Sequence, residues 1–145
     1  MTHRSKSTLF LIEQLIVIAV FAICAVACIS ILTAAYFNAN DSKATSHAIL
    51  KAESAAEVFK ATGGNHSITS DILGGTRGMK NQYPAIVVYY DNEWQPGSEG
   101  NAGYVLYITI FPDTGFQNSF VMSELYVEKV TGEELVVFPL VARTR

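Results

Sequence analysis

Asp91, Asn92, Glu93 and Glu99 crowd one short stretch of the chain in which Gly97 and Gly100 permit sharp bends. Carboxylate and amide oxygens gathered at a bend are the donor set that a calcium ion takes, so this stretch is a candidate calcium loop. The same residues, which lack regular ligand spacing, also make a solvated hairpin loop, and the composition leaves both readings standing. Glu13 is a different case: it is the one charged residue between Leu9 and Asn40, in a stretch that is otherwise almost wholly apolar. A carboxylate inside a membrane-spanning segment costs about 2.5–3.5 kcal/mol, so its presence implies a partner. Because Glu13 sits near the start of the run, reaching the lipid headgroups is the alternative.

Other familiar chemistry is missing from the pattern. His3, His47 and His66 lie in a tail, on a helix and in a loop, and none has zinc spacing with a cysteine. Ser98, in Gly97-Ser98-Glu99-Gly100, lacks the glycine two residues earlier that a nucleophile elbow requires. No enzyme activity and no small-molecule substrate are expected. Cys24 and Cys28 fall four residues apart inside the apolar run, on one helix face, and no other cysteine exists to staple the rest. They read as polarisable packing residues, with lipidation or an intersubunit contact as the alternatives. Trp94, Tyr89, Tyr90, Tyr104 and Tyr107 have the spacing of strand residues, in a core or on a sheet face; a ligand-stacking surface is the alternative. The net charge is −3, from 10 basic and 13 acidic residues, so no basic surface is available for a phosphate backbone and no direct nucleic-acid partner is expected.

The elements that would position these residues begin with a helix. Leu15 to Phe37 is a run of 23 uncharged residues. At about 1.5 Å per residue it exceeds the roughly 30 Å hydrocarbon core of a bilayer. It is also longer than the usual core of about 7–15 residues in a secretory signal peptide. Arg4 and Lys6 before the run and Asp41 after it orient the N-terminus inside and the C-terminus outside. No Pro or Gly occurs between Met1 and Ala61, and Ala48, Ala52, Ala55, Ala56 and Phe59 then recur at spacings of three and four, with Lys43, Lys51, Glu53, Glu57 and Lys60 elsewhere. One helix therefore leaves the membrane and continues, about 80 Å from Leu9 to Ala61 at the standard rise, until Gly63-Gly64 stops it.

Beyond the glycines, Ser67 to Leu73 predicts a short helix capped by Ser67 or Thr69, and Gly74 to Gly78 predicts a turn. Strands are predicted at 85–91, 103–111, 120–130 and 134–142, with 92–102 as a polar loop and Thr131-Gly132 as a turn. Short connections make this an antiparallel meander. Its inner face would pack on the second half of the long helix, with Val87, Leu106, Ile108 and Val137 meeting Ala52, Ala55, Ala56 and Phe59. The expected organisation is a basic leader-like segment 1–8, an N-terminal helix 9–64 with a membrane half at about 15–37, and an extracytoplasmic β-sheet domain 65–145.

The string Leu9-Phe10-Leu11-Ile12-Glu13-Gln14-Leu15-Ile16-Val17-Ile18-Ala19-Val20 resembles the N-terminal signal of type IV pilins and type II secretion pseudopilins. The resemblance covers about the first 60 residues. It implies an α+β, pilin-like fold: a long transmembrane-plus-amphipathic helix on a small antiparallel sheet of about four strands. It implies leader cleavage between Thr8 and Leu9 by a prepilin peptidase, with methylation of the new N-terminus, although Thr8 stands where the family has glycine. It assigns Glu13 to assembly, facing the Leu9 amine of an adjacent subunit. Other pilin-like subunits, an assembly platform and an ATPase would be the partners, and calcium in the sheet domain, at Asp91, Glu93 and Glu99, matches what some pseudopilins hold. The expected function is a minor pilin-like or pseudopilin subunit of a secretion, type IV pilus or competence-type filament. The rival reading is a non-polymerising, single-pass anchored extracellular binding domain.

Overall fold

The structure, a computed structural model, describes residues 3–111 and 120–143, with side chains from residue 8 onward. Of the leader-like segment, residues 1 and 2 and the side chains of residues 3–7, Arg4 and Lys6 among them, lie outside the described residues. Uninterrupted by Pro or Gly, the chain forms one helix, α1, over His3–Ala61. Two units divide within it, Met1–Ser42 and Lys43–Arg145.

The described residues of the first unit are helix alone. Its large apolar side chains from Leu9 to Phe37 are all more than half exposed, from 51% at Ile12 to 75% at Phe21. A helix apolar on every side and covered by nothing of its own fits a lipid or helix-bundle environment. Its polar groups bond inward: the Ser30 and Thr33 hydroxyls donate to the carbonyls of Val26 and Ile29 at 2.9 and 2.8 Å. It is long and apolar enough to cross a membrane.

The second unit contains the last turns of α1, then α2 (His66–Leu73) and strands β1 (Thr76–Lys80), β2 (Tyr83–Tyr90), β3 (Tyr104–Thr109), β4 (Phe120–Lys129) and β5 (Glu134–Arg143). The architecture is α+β: the helix packs on a five-stranded antiparallel meander in the order β1-β2-β3-β4-β5. Paired glycines end α1. Gly63 adopts φ 65°, its N–H bonds the Lys60 carbonyl at 3.1 Å, and the Gly64 N–H bonds that of Phe59 at 2.9 Å. This satisfies carbonyls that the helix leaves open. Asn65, not Ser67 or Thr69, caps α2; its side-chain oxygen accepts from the Ser67 and Ile68 N–H groups at 3.1 and 3.2 Å. Thr69 is buried instead, its hydroxyl bonded to the Asn65 carbonyl at 2.8 Å and to the Thr62 hydroxyl at 2.7 Å.

The expected alanine face is the one that packs. Ala48, Ala52, Ala55, Ala56 and Phe59 are buried against Ile86, Val88, Tyr90, Leu106, Ile108, Leu125, Val127, Leu140 and Ala142. Small side chains let the backbone of the helix approach the sheet, and the Phe59 ring fills the space where it ends.

Three further expectations are corrected. The sheet has five strands, because 76–80 pairs with β2 instead of turning. Gly78 is there for close approach: a Cβ on it would meet a Val87 methyl at 2.5 Å. Val87 does not face the helix, since Ile86, Val88 and Tyr90 do; it is buried on the opposite face. Val137 is likewise on that face and is 46% exposed, its neighbours Val136 and Phe138 turning inward. Successive strand residues point to opposite faces, so a phase error of one residue reverses every assignment in the strand.

Candidate functional site

The loop between β2 and β3 shows how local hydrogen bonding uses a carboxylate. Asp91 follows the last residue of β2, and its Oδ1 accepts the N–H groups of Glu93 and Gln95 at 2.8 and 2.9 Å. The Asp91 N–H donates to the Gln95 carbonyl at 3.0 Å, and that of Gly97 to the Tyr89 carbonyl at 2.9 Å. An aspartate that caps its own turn stabilises the turn and offers less of its lone-pair capacity to a cation. Glu93 and Glu99 are exposed, and no group of three His, Cys, Asp or Glu side chains is placed to hold a metal among the described residues. Asp91, Glu93 and Glu99 do not form such a group. The charge of Glu99 acts on tyrosines instead: burial first, then Glu99, raises the pKa of Tyr89.

Trp94, in the same loop, adopts φ 62° and is 6% exposed. It stacks on Tyr104 with centroids 3.9 Å apart and on His47 at 5.9 Å, while the Lys51 ammonium sits 5.0 Å from the centre of the Tyr90 ring. These rings join the loop to the helix as part of the core, so Trp94 is a packing residue and not an open stacking platform. Burial raises the pKa of Tyr90.

Sequence reasoning missed a second cluster, on the sheet face away from the helix. Lys80 at the end of β1 forms an ion pair with Glu128 on β4, both mostly buried, and its ammonium lies 5.0 and 5.4 Å from the ring centres of Tyr107 and Tyr126. The Tyr126 hydroxyl donates to Glu124. Burial raises the pKa of Tyr107, reinforced by Glu128, Tyr89 and Glu99; the hydrogen bond to Glu124, then burial, raises that of Tyr126. Each member of this cluster already has a partner, which makes it a structural clamp across β1, β3 and β4. Only the strand register brings Lys80 and Glu128 together, and no spacing in the sequence announces it.

Thr8, Leu9 and Glu13 all lie exposed on α1, with Leu9 and Glu13 one turn apart. No ion pair to Glu13 exists among the described residues. His66, at the start of α2, rests on the Phe59 ring at 5.7 Å; its Nδ1 is buried without a hydrogen-bond partner among the described residues, and burial lowers its pKa. No known family model matches the chain, and neither does any curated protein or solved structure.

Proposed function

We propose that the chain is a pilin-like or pseudopilin subunit, minor in its assembly, that joins a secretion, type IV pilus or competence-type filament through its N-terminal helix. The observation that carries this reading is Glu13, a lone carboxylate at the start of an exposed apolar helix that continues unbroken toward a small sheet domain. In lipid the carboxylate is a cost of about 2.5–3.5 kcal/mol, and a neighbouring subunit's N-terminal amine would offset it. Leaving the membrane for a bundle exchanges lipid contacts for helix contacts, with an assembly ATPase and platform protein supplying the work. The sheet domain stands outside the cytoplasm in this reading.

Intact-mass measurement of protein from its native membrane tests it: loss of residues 1–8 with methylation at Leu9 is expected, and an intact, unmethylated N-terminus speaks against it. Glu13→Gln should insert as well as or better than the parent chain while losing crosslinks to other pilin-like subunits. Unchanged crosslinking would remove the pairing role. One observation favours the rival, an anchored extracellular binding domain that never polymerises: Thr8 occupies the position before the scissile bond where the family has glycine. Retention of the leader would decide for that rival.

A further inference from the structure

We propose that the sheet domains of two copies of this chain join edge to edge, β1 of one copy lying parallel beside Glu134–Phe138 of the other, with Arg77 and Met79 entering a groove beside β5. Among the described residues the strand order leaves β1 and β5 each with one neighbour, so both carry backbone groups without a ladder partner along an edge. On β5, Pro139 brings no N–H, which confines the pairable stretch to Glu134–Phe138, the same length as β1. Beside that stretch runs a groove of about 640 Å³ between helix and strand. Ile49, Ala56, Val136 and Phe138 make it apolar, while Glu53 and Glu57, set against the one cation Lys60, leave its rim acidic on balance. Neither glutamate has an ion pair among the described residues.

The opposite edge carries the matching side chains. Arg77 pairs in register with Ile86, a core residue under the helix, so Arg77 and Met79 point to the helix side of the sheet. They nonetheless remain exposed, Met79 at 68%. A cation and an unbranched apolar side chain two residues apart are what an apolar groove with an acidic rim accepts.

Topology makes the two edges compatible. In an antiparallel meander of five strands, β1 and β5 run in the same direction. A second copy displaced along the sheet therefore presents β1 parallel to β5 with its helix-covered face on the same side, which is the side where the groove opens. The self-paired alternatives are disfavoured by charge: β5 against β5 brings the two acidic rims together, and β1 against β1 brings two Arg77 side chains together. The resulting contact is heterologous, so it repeats from copy to copy. Five residues of parallel ladder are weak in dilute solution, but chains confined to one membrane meet at high effective concentration. The contact involves the second unit alone, the end of α1 with the sheet, and does not depend on the role of Glu13.

Co-expression of two full-length chains tests it, both with Cys24→Ser and Cys28→Ser, one carrying Ile49→Cys and the other, size-tagged, carrying Met79→Cys. Oxidation of the membranes should give a disulfide-linked heterodimer from the mixture and only background dimer from either chain alone. Arg77→Glu on the Met79→Cys chain should lower the yield about tenfold or more, and Glu53→Arg with Glu57→Arg on the other chain should restore it. The substituted side chains are exposed, and circular dichroism of each variant verifies the fold. Absence of the heterodimer, equal dimer from one chain alone, or a yield indifferent to charge reversal would each overturn the proposal.

Discussion

Phe59→Ala tests the central claim about the second unit, that the end of the long helix is part of the sheet's core. The ring is 0% exposed, beneath Ala55 and Ala56 on its own helix and against the inward residues of the strands, with His66 on its flank. Truncating a fully buried phenylalanine removes its transfer free energy and leaves a cavity, for about 3–5 kcal/mol together. A unit of roughly 100 residues is stable by about 5–15 kcal/mol, so the loss is a large share of the total. At about 4–8 °C per kcal/mol for a domain of that size, Tm should fall by roughly 12 °C or more. A fragment from Asn38 to Arg145 carries the whole core and suits urea denaturation. Trp94, the single tryptophan, is buried on Tyr104 and reports the core by fluorescence while circular dichroism reports the helix. Phe59→Leu keeps most of the volume and should lose less than about 1.5 kcal/mol. A loss below about 1.5 kcal/mol for the alanine variant at unchanged m would mean that the site collapses or that the ring is not held, and the packing argument would fail.

Two further perturbations address groups that titrate or pair. Because burial lowers the pKa of His66, the unfolded chain takes up the proton first as pH falls below about 6.5, and stability should decline from there until the folded-state pKa is passed. His66→Phe should flatten that slope in urea midpoints measured between pH 7.5 and 5; an unchanged slope would assign it to another group. Glu128→Leu leaves the mostly buried Lys80 ammonium without its carboxylate and should cost about 1–3 kcal/mol. Adding Lys80→Met should recover most of that loss, and a single-variant cost under about 0.5 kcal/mol would mark the pair as solvated.

What could be read from the sequence divides along a physical line. The alanine face of α1 was legible because one segment carries the whole period, and an alanine every third or fourth residue has no competing phase. The strands were legible as strands, but only β3 in phase: Leu106 and Ile108 face the helix as expected, while Val87 and Val137 do not. Ala85 to Val88 is apolar at every position and buried on both faces, so alternation gives no sign of which residues meet the helix. β1 was hidden because its glycine serves close packing against Val87, and a glycine near others reads as a turn. The acidic loop was legible as a bend, whereas the hydrogen bonds that occupy Asp91 arise from the fold of the loop and no spacing announces them. Lys80 and Glu128 stand 48 residues apart, and only the register makes them neighbours.

The division of α1 bears on how Glu13 can be separated from the span that holds it. From Leu9 to Asn40 the helix carries one charge and exposes its large apolar side chains on all sides; from Lys43 onward it buries alanines on one face and exposes Lys and Glu on the others. The second segment has its partner within the chain, while the apolar side chains of the first are exposed among the described residues, which suits lipid or other helices. Lipid satisfies every apolar side chain of that segment equally well, and Ser30 and Thr33 satisfy themselves. Glu13 is then the group for which lipid and a helix bundle differ most. Neutralising it should favour the lipid state by up to about 2.5–3.5 kcal/mol, and under the filament reading the same change removes a reason to leave. Insertion and assembly should therefore move in opposite directions in Glu13→Gln, whereas a simple anchor predicts improved insertion and nothing else.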